Sequence, residues 1–144
     1  MSQASVDVAR GFIHAHSQAN WDRVGELVAP DSVYEEFGTG RRAKGDEITE
    51  LFKGWKRAMP DTEGTVTNAI DGGDTVVLEV TWTGTLTGPW ATPEGEVEPT
   101  GKYQTTRGCM IFTFEGEGIS HFRQYFDTMD LMQQLGLLPA PASA

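Results

Sequence analysis

Cysteine is nearly absent: Cys109 is the one cysteine in 144 residues, so an internal disulfide is excluded. It lies between Gly108 and Met110 in an apolar run, which predicts burial rather than redox work. Basic residues are scarce too. Eleven Lys and Arg face 21 Asp and Glu, a formal charge of −10, which repels phosphate backbones and anionic lipid and argues against nucleic acid or a membrane as partner. No apolar run approaches the roughly 18 to 20 residues of a membrane span, and MSQASVDVARGF lacks a basic stretch followed by an apolar core. A cytoplasmic protein is expected. Seventeen Gly and seven Pro are spread without period or bias, which excludes collagen-like, solenoid and low-complexity chains. No Cys or His cluster has metal-ligand spacing, and His14, His16 and His121 form no same-face i, i+4 pair, so no metal is implied. GTGRRAKG matches neither GxxxxGK[ST] nor a dinucleotide GxGxxG, and no GxSxG occurs, so neither a nucleotide cofactor nor covalent catalysis is indicated.

What remains is one domain over residues 1–144, with 38% hydrophobic residues and a tail from 136 to 144 expected to fray. From Val6 to Ala19, the residues Ala9, Phe12, Ile13 and His16 fall on one helical stripe. After the N-cap candidate Asn20, Trp21, Val24, Leu27 and Val28 make a second, short helix ending before Pro30. SVYEEFG predicts a short strand. Gly45 and Asp46 open a third helix, with the stripe Ile48, Leu51, Phe52, Trp55 and Met59, closed by Pro60. Beyond it the period becomes alternating. EGTVTNAI, DTVVLEVTWTGTLTG, KYQTTRGCMIFTF and GISHFRQYFD predict four antiparallel strands separated by DGG, by PWATPEGEVEPTG and by EGEG. Glu94, Glu96 and Glu98 then belong to a solvated connection. MDLMQQLGLL predicts one or two closing helical turns, with Asp127 as N-cap and Gly136 as C-cap. The expected fold is α+β, N-terminal helices packed on a curved antiparallel sheet.

Alternation sorts the strand residues onto faces. Val76, Leu78, Val80 and Trp82 share one face, as do Gly108, Met110, Phe112 and Phe114, and as do Phe122, Gln124 and Phe126. Two polar residues interrupt the apolar faces, His16 on the first helix and Gln124 on the last strand. A buried polar group without a partner costs on the order of 1 to 3 kcal/mol, so each needs a partner, water or a ligand. With Trp55, Met59, Trp82, Met110, Phe112 and Phe126 they describe a wide apolar pocket with few polar groups. The outer face, with Val77, Thr81, Thr105, Ile111 and Tyr125, is apolar enough to predict a homodimer.

The segments NWDRVGELVAPD, GWKRAMPD, GDTVVLEVTWTGTLTG and FRQYFDTMDLMQQLG together resemble the SnoaL-like polyketide cyclase family of the nuclear transport factor 2-like fold. The resemblance implies a cone-shaped domain, often a homodimer, that binds hydrophobic molecules. In aldol-cyclising members a carboxylate after an Arg on the last strand acts as general acid and base, with a His on the preceding strand. Those positions fall here on Gln124, after Arg123, and on Met110. FRQYFD also resembles a limonene epoxide hydrolase segment, again with Gln124 in place of the Asp, while the Arg-x-Asp pair of those enzymes would fall near Val80 and Trp82 and is absent.

An amide donates and accepts hydrogen bonds but moves no proton, so Gln124 orients an oxygen. Proton transfer falls to His16, whose ordinary pKa suits pH 7, or to Tyr34 and Glu36, which share a strand face. The expected function is a cofactor-independent cyclase or isomerase acting on a hydrophobic small molecule. The alternatives are a binding protein without chemistry and an epoxide hydrolase with a rearranged site.

Overall fold

Apolar residues at helical spacing build three helices before Pro60 in the computed structural model, which describes residues 2–92 and 94–138. They are α1 (Ser2–Ser17), α2 (Trp21–Leu27) and α3 (Asp46–Ala58). Helix α1 starts four residues earlier than its stripe suggests and stops where Ala19 turns to φ 55°. The Asn20 side chain caps α2, accepting from the Arg23 amide at 3.2 Å.

Eight strands follow or interleave: β1 (Val28–Phe37), β2 (Arg41–Lys44), β3 (Glu63–Asp71), β4 (Thr75–Thr85), β5 (Trp90–Thr92), β6 (Gly95–Val97), β7 (Tyr103–Glu115) and β8 (Gly118–Phe126). Six form one sheet in the order β2-β1-β8-β7-β4-β3. The expected antiparallel sheet is therefore mixed, because β1 enters from between the helices and pairs parallel with β8. The strand read from SVYEEFG is ten residues long. Its partner β2, hidden in the Arg-rich GTGRRAKG, is a short charged edge strand of the kind that discourages further pairing. The connection PWATPEGEVEPTG also folds, into the β5–β6 hairpin. Helix α4 (Thr128–Gln134) closes the described chain, capped by Asp127 through the Asp130 amide at 3.0 Å. Gly136, at φ 76°, ends it, and residues 139–144 of the expected frayed tail lie outside the described residues. Among the described residues no helix is long and apolar enough to cross a membrane.

The face assignments decide the core. Val76, Leu78, Val80, Met110, Phe112 and Phe122 are buried against Phe12, Ile13, Ile48 and Phe52 of the helices. Phe12 meets Phe52 and Phe122 edge-on at 5.1 and 5.0 Å, and Phe112 stacks on Phe122 at 5.2 Å. Cys109 corrects the expectation of burial. It alternates with Met110, so it points to the outer face and is half-exposed. A second apolar cluster, with Met59, Leu86, Trp90, Leu131 and Leu135, closes the open end of the cone.

Candidate functional site

Between the two apolar clusters lies a cavity of about 50 Å³. His16 from α1, Phe52 and Trp55 from α3, Met59 at the C-cap of α3, Trp82 from β4, and Gln124 and Phe126 from β8 all line it. Six of the expected site residues thus come together. Met110 and Phe112, expected in the same wall, do not line it. Both are fully buried deeper in the cone, where Phe112 packs against Phe12 of α1. Their places are taken by Gln104 and Thr106, four and two residues before Gly108 on the same β7 face. Continuing the alternation backwards from Gly108 points to both.

His16 is 2% exposed. Its Nε2 donates to the Phe52 carbonyl at 3.3 Å, its Nδ1 is buried without a hydrogen-bond partner, and its ring meets Trp82 edge-on at 5.4 Å. Burial pushes its pKa from 6.5 down to about 4, the Lys56 ammonium acting in the same direction and the Phe52 hydrogen bond opposing. The expectation of an ordinary histidine titrating near pH 7 is therefore corrected: the ring is neutral there and offers a lone pair.

Gln124 is held from both sides. The Trp82 indole donates to its Oε1 at 2.6 Å, and its Nε2 donates to the Tyr34 oxygen at 3.1 Å. Tyr34 in turn donates to Glu36 Oε2 at 3.0 Å. The register of the parallel pair places these groups together, since Tyr34 stands beside Phe122 and Glu36 beside Gln124. Close packing makes the room. A Cβ on Gly108 would lie 2.7 Å from Gln124 Oε1, and one on Gly64 would lie 2.7 Å from the Trp82 ring.

Tyr34 and Glu36 stand behind the cavity rather than in its wall. Glu36 is 1% exposed. Its Oε2 also accepts from the Trp55 indole at 2.9 Å, while its Oε1 accepts from Thr39 at 2.7 Å and from Arg41 Nε and Nη2 at 3.0 and 2.8 Å. A carboxylate with five donors is a structural anion, and its role as a mobile base is corrected accordingly. Burial, and next the Glu36 charge, hold the Tyr34 phenol well above its ordinary pKa. The whole chain has one polarity. Trp82 gives to Gln124, Gln124 to Tyr34 and Tyr34 to Glu36; the amide at 124 accepts from one neighbour while donating to the next, which an ionised carboxylate there could not do.

Thr106 donates to Gln104 Oε1 at 2.6 Å, and the Gln104 amide approaches Met59 Sδ at 3.6 Å. His16 is thus the one titratable side chain in the cavity wall among the described residues. No group of three or more His, Cys, Asp or Glu among them is placed to hold a metal ion.

The model of the family described as SnoaL-like polyketide cyclase matches residues 6–135. No curated protein matches the chain in sequence. Among solved structures, AclR of Streptomyces galilaeus, a candidate hydroxylase, superposes with a TM-score of 0.83 at 19% identity, covering 99% of this chain and 87% of its own. IdmH of Streptomyces antibioticus, a candidate polyketide cyclase, gives 0.78 at 21% identity over 92% and 98%. An epoxide hydrolase of M. tuberculosis resembling the limonene enzymes gives 0.72 at 19% over 93% and 90%. At these identities the likeness is one of fold, that of the nuclear transport factor 2 and ketosteroid isomerase-like proteins.

Proposed function

Since the chain belongs to the SnoaL-like polyketide cyclase family, we propose that it is a cofactor-independent enzyme that cyclises or isomerises a hydrophobic, polyketide-like small molecule inside the cone. The observation that carries this reading is the unpartnered Nδ1 of His16, a residue in the wall of an apolar cavity that Trp82 and Gln124 also line. In this mechanism Nδ1 takes a proton from a carbon flanked by carbonyls, and the resulting enolate attacks a second carbonyl or is reprotonated at another carbon. Burial that weakens the imidazole as a base makes the imidazolium a strong acid, so the proton returns at once to the new alkoxide or carbon. The amide nitrogen of Gln124 has two hydrogens, of which Tyr34 takes one. The other serves the oxygen on which charge develops, in surroundings where such a hydrogen bond is strengthened by the exclusion of water.

A binding protein is the second reading, supported by the absence of any carboxylate from the cavity wall among the described residues. A screen of aromatic polyketide precursors, epoxides and steroid-like ketones, followed by mass spectrometry, separates the two. Turnover of a carbonyl compound is the expected result. Binding without turnover across all classes overturns the enzymatic reading, and turnover confined to epoxides replaces it with a hydrolase.

The homodimer expected from the sequence is kept as part of the proposal. On the outer face Phe37 and Tyr125 stack at 4.5 Å and 2°, 40% and 43% exposed, beside the half-buried Val77 and Ile111. Sedimentation at micromolar concentration is expected to give about twice the 15.7 kDa chain mass, and a species of chain mass alone would remove the dimer.

A further inference from the structure

The inner cavity, at about 50 Å³, has room for a few water molecules at most. Pockets that take drug-sized ligands measure about 300 to 1,000 Å³. A second hollow of about 370 Å³ is walled by Gly38, Thr39 and Arg41, by Glu94 and Glu96 of the β5–β6 hairpin region, and by Trp90. One aromatic pair stands between the two. Trp55 lines the inner cavity and Trp90 the outer cleft, and their rings pack 4.9 Å apart at 33°.

Trp90 is 3% exposed, and its indole N–H is buried without a hydrogen-bond partner. An unmade buried donor is a standing penalty on the position it occupies. The hairpin that carries it has three residues in each strand and pairs with no strand of the main sheet.

We propose that the outer cleft is the second half of the substrate site and that Trp90 is the partition displaced when a flat ring system spans both halves. The cleft then selects a neutral, hydroxyl-bearing end over an anionic one. The proposal rests on the reading of the cone as a small-molecule site. The outer cleft alone lies in the size range of ligand pockets, and joining the inner cavity to it brings that volume up to His16 and Gln124. Glu94 and Glu96 are exposed carboxylates, which accept from hydroxyl groups and repel a carboxylate. The Arg41 guanidinium does not offset them, because it is engaged with buried Glu36 at 2.8 Å. Displacement also frees the Trp90 N–H to find an acceptor.

The test titrates the full chain with 2-hydroxy-9-fluorenone and with 9-fluorenone-2-carboxylate, reading binding rather than turnover. The hydroxylated probe is expected to bind at least about tenfold more tightly, and the Glu94→Gln/Glu96→Gln variant to bring the two within about threefold. Trp90→Ala is expected to raise the association rate about tenfold or more by removing the partition. Should that variant fail to fold, 5-fluorotryptophan in the otherwise native chain, with its signal assigned through Trp90→Phe, reports on the same event and is expected to shift at saturation. Equal affinity for the carboxylate, an unmoved Trp90 signal at saturation, or no binding of either probe at millimolar concentration overturns the proposal. Binding as described with no turnover of any substrate instead overturns the catalytic reading and leaves the two-part site standing.

Discussion

Arg41→Ala is expected to lower the thermal midpoint by roughly 10 to 20 °C. Removing one partner of a buried ion pair costs about 3 to 5 kcal/mol, because the other charge stays buried without it. For a chain of this length each kcal/mol shifts the midpoint by about 3 to 4 °C. Glu36 meets those conditions, its side chain having no exposed surface while that of Arg41 is 19% exposed. Thr39, Tyr34 and Trp55 would still donate to it, but all three are neutral. The guanidinium also lies 5.3 Å from the Trp55 ring centroid, and alanine forgoes that cation–π attraction too. Arg42, its exposed neighbour on β2, provides the control: Arg42→Ala should change stability by no more than about 0.5 kcal/mol. The double variant Glu36→Gln/Arg41→Ala should recover part of the loss, since no charge is then stranded. Equal midpoints for the Arg41 and Arg42 variants would refute the assignment of Glu36 as a structural anion.

His16→Gln should reduce turnover by roughly 10² to 10⁴-fold, the usual contribution of a general acid or base. Glutamine retains a donor for the Phe52 carbonyl, so the loss is specific to the imidazole lone pair. A second readout needs no substrate. With a pKa of 6.5 in the unfolded chain and about 4 in the folded one, the unfolded state binds the proton first as pH falls. The stability present above pH 6.5 is therefore lost as pH falls towards about 4, at up to about 1.4 kcal/mol per pH unit and on the order of 3 kcal/mol in all. Chemical denaturation between pH 7 and pH 4.5 should show that slope in the native protein and a shallower one in His16→Gln. Unchanged turnover in the variant would eliminate His16 as the proton-transfer group. Equal pH slopes would show that His16 is not held neutral by burial.

The helices and the inward faces of β4, β7 and β8 were legible because a stripe or an alternation is a local property. Ile48, Phe52 and Met59, or Val76, Leu78 and Val80, need only their own element to declare which side is buried. Alternation gives the face of a strand but not the depth along it. Met110 and Phe112 were thus expected in the cavity wall, when Gln104 and Thr106 on the same row are the residues at the right height. The edge strand β2 was hidden by its two arginines, which suggest a solvated loop until Glu36 is known to be buried beside one of them. The pairing of β1 with β8 joins segments about 90 residues apart, and no periodicity in either announces it. The shared face of Tyr34 and Glu36 was readable, but their connection to Gln124 and Trp82 waited on that pairing.

The single direction of the hydrogen bonds from Trp82 through Gln124 and Tyr34 to Glu36 also constrains how this protein can change over generations. The resemblance to aldol-cyclising proteins implies that Gln124→Asp would supply a proton-transfer group. With Tyr34 in place, that single step gives one phenolic hydrogen two carboxylates to serve and brings a second negative charge towards a buried one. The residues at 34, 36 and 124 are therefore epistatic. An acid at 124 fits this network only when Tyr34 or Glu36 changes with it, so the effect of a substitution at any one of the three depends on the residues at the other two.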